Sequence, residues 1–346
     1  MAGRILRAAI VGASTLLGKE LADELNAAAT VAWDIKLLDA ALADAGVAGG
    51  QMTAAGDEVL LIQTIEPGAF DGMDVVFFAG DAATTRKHWK EAKAAGAKIV
   101  DLSGALDDEP GVLVRCALLD AAERVAADAV QVVVAAHPAA VMLALVMTRL
   151  RARWSNARGV ATVMEPASQQ GSAGLDEMHQ QTVALLSFQA VPKDIYDAQV
   201  AFNLSAAFGA EAKVDLGAIR ERVRRDFATI AGREASSAVA IQLLQAPVFN
   251  GYTASMFVEA NGEALQADVE SALEGGVVSV VPGDEPGPSN LSATEQGQVL
   301  VSVRAESDAT TLAGFWLWMA ADNLKLAAQN AAACALELVA VKHRTN

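Results

Sequence analysis

Few residues of this 346-residue chain combine a reactive type with a telling spacing. The most suggestive run is Gly12-Ala13-Ser14-Thr15-Leu16-Leu17-Gly18, between an apolar stretch and a helical pattern. Such a turn can cradle a pyrophosphate with backbone N–H groups at a helix N-terminus, assisted by the helix dipole. Gly12 would make the tight turn, and Gly18 would let strand and helix close up. Thr15 stands where a full fingerprint has its middle glycine, and a side chain there obstructs the pyrophosphate or narrows its pocket. The other reading is a plain strand–turn–helix that binds nothing. Asp39 follows about twenty residues later. An acid there accepts hydrogen bonds from the ribose hydroxyls of NAD and repels the extra phosphate of NADP; otherwise it is a turn aspartate.

The remaining titratable groups are sparse. His137 ends an apolar run just before Pro138, and reads as a satisfied half-buried residue or else as an acid or ligand contact. His179 shares a helical segment with Glu177 and reads as part of a solvated or interface face. No two of His88, His137, His179 and His343 have metal-ligand spacing, and the two cysteines are far apart, so no metal site is expected. Cys116 and Cys334 read as small core residues. Arg115 beside Cys116 would favour a lowered thiol pKa.

Composition narrows the class. Lys and Arg total 26 against 42 Asp and Glu, a net charge of −16. That field repels phosphate backbones, which argues against nucleic acid as the main partner. No basic amphipathic stretch suits an anionic membrane surface. The most membrane-like window, residues 130–147, is interrupted by Gln131, His137 and Pro138, and reads as strand, break and helix. The first residues lack the apolar region and cleavage site of a signal peptide. Together with the cysteine usage, this leads to the expectation of a soluble cytoplasmic protein. At 53% hydrophobic and 20% charged, the chain can bury a sizeable core, and its length suits two domains or three.

These residues must be positioned by alternating elements. Strand-like apolar runs occupy 5–11, 33–38, 59–62, 75–79, 98–102 and 130–136, with helical spacing over 16–28 and 84–95, the latter closed by Gly96. Strand–helix alternation predicts a parallel sheet with crossover helices. Beyond Pro138 the order changes. Helices are predicted over 139–151, 175–188, 219–230, 265–273 and 322–341, and strands over 157–164, 237–248, 252–259, 277–281, 299–303 and 311–319. Strands in runs predict a mixed or antiparallel sheet, hence an α+β second domain. In the segment 237–248, Val239, Ile241 and Leu243 alternate with Ala240, Gln242 and Leu244, so both faces need cover.

Several short segments carry a family resemblance. They are Ala9-Ile10-Val11-Gly12-Ala13-Ser14, Lys98-Ile99-Val100-Asp101-Leu102-Ser103-Gly104-Ala105, Ala201-Phe202-Asn203 and Ala246-Pro247-Val248-Phe249-Asn250-Gly251. Near the end come Trp318, Asp322-Asn323-Leu324 and Ala327-Ala328-Gln329-Asn330. In this order, over nearly the whole length, the chain resembles the aspartate-semialdehyde dehydrogenase family. The resemblance implies a Rossmann-like parallel-sheet domain over residues 1–137, rejoined by a helix over 320–346. It also implies an α+β mixed-sheet substrate and dimerisation domain over 138–319, and a homodimer. The cofactor, NAD or NADP, would lie on Gly12, Ala13, Ser14, Thr15, Leu16, Leu17 and Gly18, with Asp39 and Asn323.

The chemistry of that family starts with thiolate attack on an aldehyde. Hydride then passes to NADP, and phosphate cleaves the thioester. The family's nucleophile belongs to an Asn-Pro-Asn-Cys motif, which here reads His137-Pro138-Ala139-Ala140. The Ala140 methyl is no nucleophile. The family's base, a histidine after a glycine, is replaced by Tyr252 after Gly251, and a phenol with a pKa of about 10 is a poor base near neutrality. The carboxylate-binding arginine is replaced by Gln245, a glutamine by Glu165, and a phosphate-binding arginine by Asp107. Glu165 and Tyr252 would form a new acid–base pair if both lined the old pocket, and are filler otherwise. The pattern is closer to a divergent branch resembling the Usg protein, which lacks the nucleophilic cysteine and shares the Gln-Ala-Pro-Val-Phe stretch, here Gln245 to Phe249. Tyr252 departs even from that branch.

The expected function is therefore that of a family homologue without the parent reaction, non-catalytic or altered, binding NAD(P) weakly or another metabolite. One alternative is an oxidoreductase acting on another aldehyde or alcohol without a thiol. A second is a structural dimeric partner of a true enzyme.

Overall fold

A computed structural model describes residues 5–29, 31–40, 51–55, 58–119, 130–260, 264–306 and 314–340. His343, the start of the strand expected at 311 and the end of the helix expected at 341 lie outside these residues. The chain divides into two compact units, Met1–Ala136 with Ala327–Asn346, and His137–Leu326.

The apolar runs of the first unit become strands β1 (Leu6–Val11), β2 (Trp33–Leu38), β3 (Gln51–Ala55), β4 (Glu58–Gln63), β5 (Val75–Phe78), β6 (Lys98–Asp101), β7 (Leu113–Arg115) and β8 (Val132–Ala135). They form one sheet in the order β3-β4-β2-β1-β5-β6-β8-β7. Every pairing is parallel except β3 with β4. All four β5 side chains are buried, because both sheet faces are covered. Ile10 and Phe77 pack with Leu21 and Leu25 of α1 (Leu16–Ala27) and Ala331 and Ala335 of α9 (Asn323–Ala340). Val11 and Phe78 pack with Trp89 and Ala92 of α2 (Ala82–Ala94) on the other face. Gly96 follows the α2 C-cap at φ +88°, as a helix stop requires. The strands β3 and β7 were not anticipated: one is weakly apolar and the other only three residues long, so pairing to a neighbour decides them.

The second unit holds β9 (Arg158–Glu165), β10 (Val239–Gln245), β11 (Tyr252–Glu259), β12 (Val278–Val280), β13 (Val299–Glu306) and β14 (Gly314–Ala321). Their order is β10-β9-β11-β14-β13-β12, with parallel pairs at both ends and antiparallel pairs between. The strands β10 and β11 are consecutive in the chain, yet β9 lies between them. The helices are α3 (Pro138–Arg153), α4 (Gly171–Leu186), α5 (Leu216–Ala231), α6 (Arg233–Ser237), α7 (Gln266–Leu273) and α8 (Asn290–Ala293). From Pro138 to Met147 every α3 residue is buried, the mark of a helix enclosed on all sides. The helix α9 belongs to this unit up to Leu326 and to the first unit from Ala327, so the division falls inside the helix rather than ahead of residue 320.

One face of this sheet is closed and the other is half open. Ala161, Val163, Ala254, Met256, Val301 and Met319 are buried. On the opposite face the register aligns Ala240, Val160, Phe257 and Trp316 in one row. Val160 is 59% exposed, Trp316 38% and Trp318 37%. The Phe257 and Trp316 rings lie 5.1 Å apart. The expectation for β10 is met on one side, where Leu243 is buried; on the other, Ala240 and Gln242 are exposed and Leu244 is half-buried.

Candidate functional site

Strand register brings three of the substituted family positions together. Glu165 ends β9, with Gln245 beside it on β10. On β11 the register sets Thr253 against Met164, which leaves Tyr252 next to Glu165. All three are fully buried. The Tyr252 hydroxyl lies 3.5 Å from Glu165 Oε2, and Gln170 donates to Glu165 Oε1 at 2.6 Å. Gln245 donates to the carbonyls of Glu165 and Ala246 at 3.0 and 2.9 Å. Its Oε1 finds no hydrogen-bond partner among the described residues. Gly251, at φ +81°, leads into Tyr252 and passes so close to Asn290 that a Cβ would lie 3.0 Å from its carbonyl oxygen.

His137 forms the next side of this cluster. It is fully buried rather than half-buried, and caps α3, its Nδ1 accepting from the Ala139 amide at 3.3 Å. Its Nε2 lies 3.4 Å from the Gln169 side-chain amide nitrogen. Its ring centroid is 6.2 Å from that of Tyr252. Asp226, fully buried on α5, accepts the His137 backbone N–H at 2.8 Å and lies 3.7 Å from Arg222 Nε one turn back. Ala140, which the resemblance aligns with the nucleophile, is buried in the first turn of α3. Asn323 clamps the cluster: its Oδ1 accepts from Ser168 Oγ and the Gly251 amide, each at 3.1 Å, and its Nδ2 donates to Gln169 at 3.3 Å.

Burial governs the protonation states. Among the described residues no cation lies beside the Glu165 carboxyl, and desolvation pushes its pKa up to about 8, against the pull of bonds from Gln170 and Tyr252. Burial and the neighbouring Glu165 raise the Tyr252 phenol well above its ordinary value. Burial, then the Arg222 charge, hold His137 well below its ordinary value. Near neutrality the cluster is a protonated carboxyl, a phenol and a neutral imidazole. It can hand over a proton, and it contains no thiol. Arg222 and Asp226 were missed in the sequence. Their i,i+4 spacing on a strongly amphipathic helix was the available signal, but a charged helix face is usually solvated.

The glycine turn has its own geometry in the first unit. Gly12 adopts φ +86°, and a Cβ there would lie 2.4 Å from Gly80 N; one on Gly18 would lie 2.2 Å from Gly12 O. Only glycine permits this close approach. Thr15 is the N-cap of α1, not a free plug: its hydroxyl bonds Gly12 O at 2.8 Å, Ala79 O at 3.0 Å and the Gly18 amide at 2.9 Å. The amides of Leu16 and Leu17 are left without an acceptor among the described residues, which suits a pyrophosphate. Ala13 is buried in the turn and Ser14 exposed. Asp39, at the end of β2, is buried and accepts from the Ser14 amide at 3.0 Å and from the Ser14 hydroxyl. The acid expected near the ribose thus already ties β2 to the turn.

Asp107 lies half-buried in the turn after β6, a loop organised by Asp101, which accepts from Ser103 and Leu106. Both cysteines are buried in the first unit. Burial raises the Cys116 thiol to about 11 and Cys334 further still. Burial outweighs the pull of Arg115 on the Cys116 thiol, and the Arg115 guanidinium forms a two-pronged pair with Glu337 at 2.9 and 3.0 Å. His179 is exposed, but Glu177 is buried and accepts from the amides of Ile195 and Tyr196, so the solvated face expected for that pair holds only for His179. Among the described residues no three His, Cys, Asp or Glu side chains gather as metal ligands, and no helix is long and apolar enough to cross a membrane.

Comparison with known proteins agrees with this architecture. Residues 7–155 match the family described as semialdehyde dehydrogenase, NAD binding domain, and residues 148–326 match semialdehyde dehydrogenase, dimerisation domain. A USG-1 protein homolog of Azotobacter vinelandii is 31% identical over 92% of both chains, and one of Pseudomonas aeruginosa 28% over 98% of both. The solved structure of a probable aspartate-semialdehyde dehydrogenase from Pseudomonas aeruginosa superimposes with a TM-score of 0.82 at 26% identity, covering 98% of this chain and 99% of that one. Two family domains, in order along the chain, make it a member of the semialdehyde dehydrogenase family, on the divergent branch that the USG-1 homologues represent.

Proposed function

We propose that this family member has given up phosphorylating, thiol-dependent dehydrogenation and works as a homodimer that binds a nucleotide. The observation that carries the reading is Ala140, a buried methyl in the first turn of α3, where a thiolate would gain from the helix dipole. Both cysteines of the chain lie in the other unit with raised pKa values. Tyr252, held protonated, cannot serve as the general base, and Gln245 offers no charge to a substrate carboxylate. NAD would be held by the Leu16 and Leu17 amides, with Asp39 beside the ribose. The half-open sheet face with Val160, Trp316 and Trp318 would be covered by a second subunit, since a patch of this kind is seldom left bare.

A second reading draws on the Glu165–Tyr252 contact. A carboxyl still protonated at neutral pH can donate through a phenol to a carbonyl oxygen, so hydride transfer without a thiol is compatible with this cluster. Bound nicotinamide would supply the hydride.

The deciding assay uses purified protein with aspartate semialdehyde, NADP and phosphate. No NADPH should form above the blank. Ala140→Cys alone should not restore it, because groups that act as a unit are non-additive. Phosphate-dependent NADPH formation that survives purification refutes the proposal. Turnover on a panel of other aldehydes and alcohols, with loss in Tyr252→Phe, would establish the second reading.

A further inference from the structure

The first sheet reverses its direction of growth at β1. The chain leaves β1 on one side to reach β2 and returns on the other side to form β5, and both pairs are parallel. Ligands of such sheets lie outside the carboxyl ends of the strands at this reversal. Two loops start there, the glycine turn after β1 and Ala79-Gly80-Asp81 after β5. They are held together. The Thr15 hydroxyl bonds Ala79 O at 3.0 Å as well as Gly12 O, the Ala79 amide bonds Val11 O at 2.9 Å, and a Cβ on Gly12 would lie 2.5 Å from Gly80 Cα. Asp81 therefore stands one residue beyond the point where the two loops touch.

Asp81 is exposed and caps α2, its carboxylate accepting from the Thr84 amide at 2.9 Å and the Thr84 hydroxyl at 2.8 Å. Burial opposes its ionisation, but the bonds from Thr84 and from the Ala83 amide outweigh it and hold the carboxyl below its ordinary value. A negative charge thus sits at the start of α2 and complements that helix's own dipole. The two helices that begin at this edge present opposite chemistry to a ligand: α1 offers the Leu16 and Leu17 amides, and α2 offers a carboxylate. On the far side of the glycine turn, Asp39 follows the last residue of β2. From β2 to β5 is two strand spacings, roughly 10 Å. Along the edge the order of groups is acid, amides, acid.

A dinucleotide has the matching order, with one ribose esterified to each end of its pyrophosphate. We propose that Asp81 accepts hydrogen bonds from the nicotinamide-side ribose, as Asp39 does from the adenosine-side ribose, so that this edge selects whole NAD over its adenosine diphosphate half. The inference rests on the nucleotide reading of the glycine turn and assigns that site a second ribose-positioning residue. A ligand that ended in a phosphate would set that phosphate against the Asp81 charge.

The test is titration calorimetry of the full-length protein with NAD and with ADP. Asp81→Asn keeps a good N-cap and removes the charge, so its melting temperature should stay close to that of wild type. Its affinity for NAD should fall roughly fivefold, whereas ADP, which ends at the pyrophosphate, should bind as well as before or better. Asp81→Ser, another strong cap, should repeat the pattern, and Asp39→Asn should weaken both ligands. NAD affinity unchanged in both Asp81 variants, or NAD and ADP weakened alike, overturns the proposal and leaves the nucleotide reading in place. Failure of wild type to bind either ligand at millimolar concentration overturns both.

Discussion

Replacing Glu165 with glutamine should stabilise this protein, and increasingly so as pH rises. The carboxyl is fully buried, and its pKa rises from an ordinary 4.5 to about 8. Between those values the unfolded chain has released a proton that the folded chain still holds. Stability must then fall with pH, by about 1.4 kcal/mol per unit. The contribution is intact below the unfolded value and lost as pH climbs through the folded one. At neutrality the cost is roughly 3 kcal/mol, approaching 5 kcal/mol once the folded carboxyl ionises. Glutamine does not titrate. Its carbonyl keeps the bond from Gln170, and its NH₂ faces the Tyr252 oxygen, so little is lost. With about 2–4 °C per kcal/mol for a domain of this size, the melting temperature should rise by roughly 6–12 °C near neutrality. Calorimetry of wild type and Glu165→Gln across mildly acidic to mildly alkaline buffers reads the difference directly, since the other carboxylates cancel. A difference that stays constant with pH, or a variant less stable in alkaline buffer, would refute the reasoning.

Tyr196→Phe should be neutral to stabilising by about 1 kcal/mol in denaturant titration, because the buried hydroxyl has no partner among the described residues and the ring keeps its contact with Phe208 at 5.1 Å; a clear loss of stability would mean that the hydroxyl is satisfied. Val160→Glu, a change at a 59% exposed position, should leave the fold intact and halve the mass seen by light scattering, whereas an unchanged mass removes that sheet face from the dimer contact. In calorimetric titration NAD should bind more tightly than NADP, and Asp39→Ala should narrow the gap; NADP binding more tightly than NAD would remove Asp39 from the ribose site.

The alternation of apolar runs with helical periods was enough to read the parallel sheet and the mixed second sheet, because buried strands and amphipathic helices leave different periods in a sequence. Gly12, Gly18 and Gly96 were legible for a local reason: each stands where a backbone conformation or a close approach excludes a side chain. The substitutions at Ala140, Glu165, Gln245 and Tyr252 were visible only against the family resemblance. What they do together was not. Glu165 and Tyr252 are 87 residues apart in the chain, and their contact exists because β9 pairs antiparallel with β11 in one register. The proton on Glu165 depends on full burial, which no spacing encodes. The same holds for Asp226, a charge on a polar-looking helix that reaches the His137 amide only after α5 has packed. Thr15 looked like an obstruction in one dimension, and the folded turn makes it a cap. Position in the chain determined which element each residue joins; register and burial, set by contacts distant in sequence, decided which groups meet and whether they carry charge.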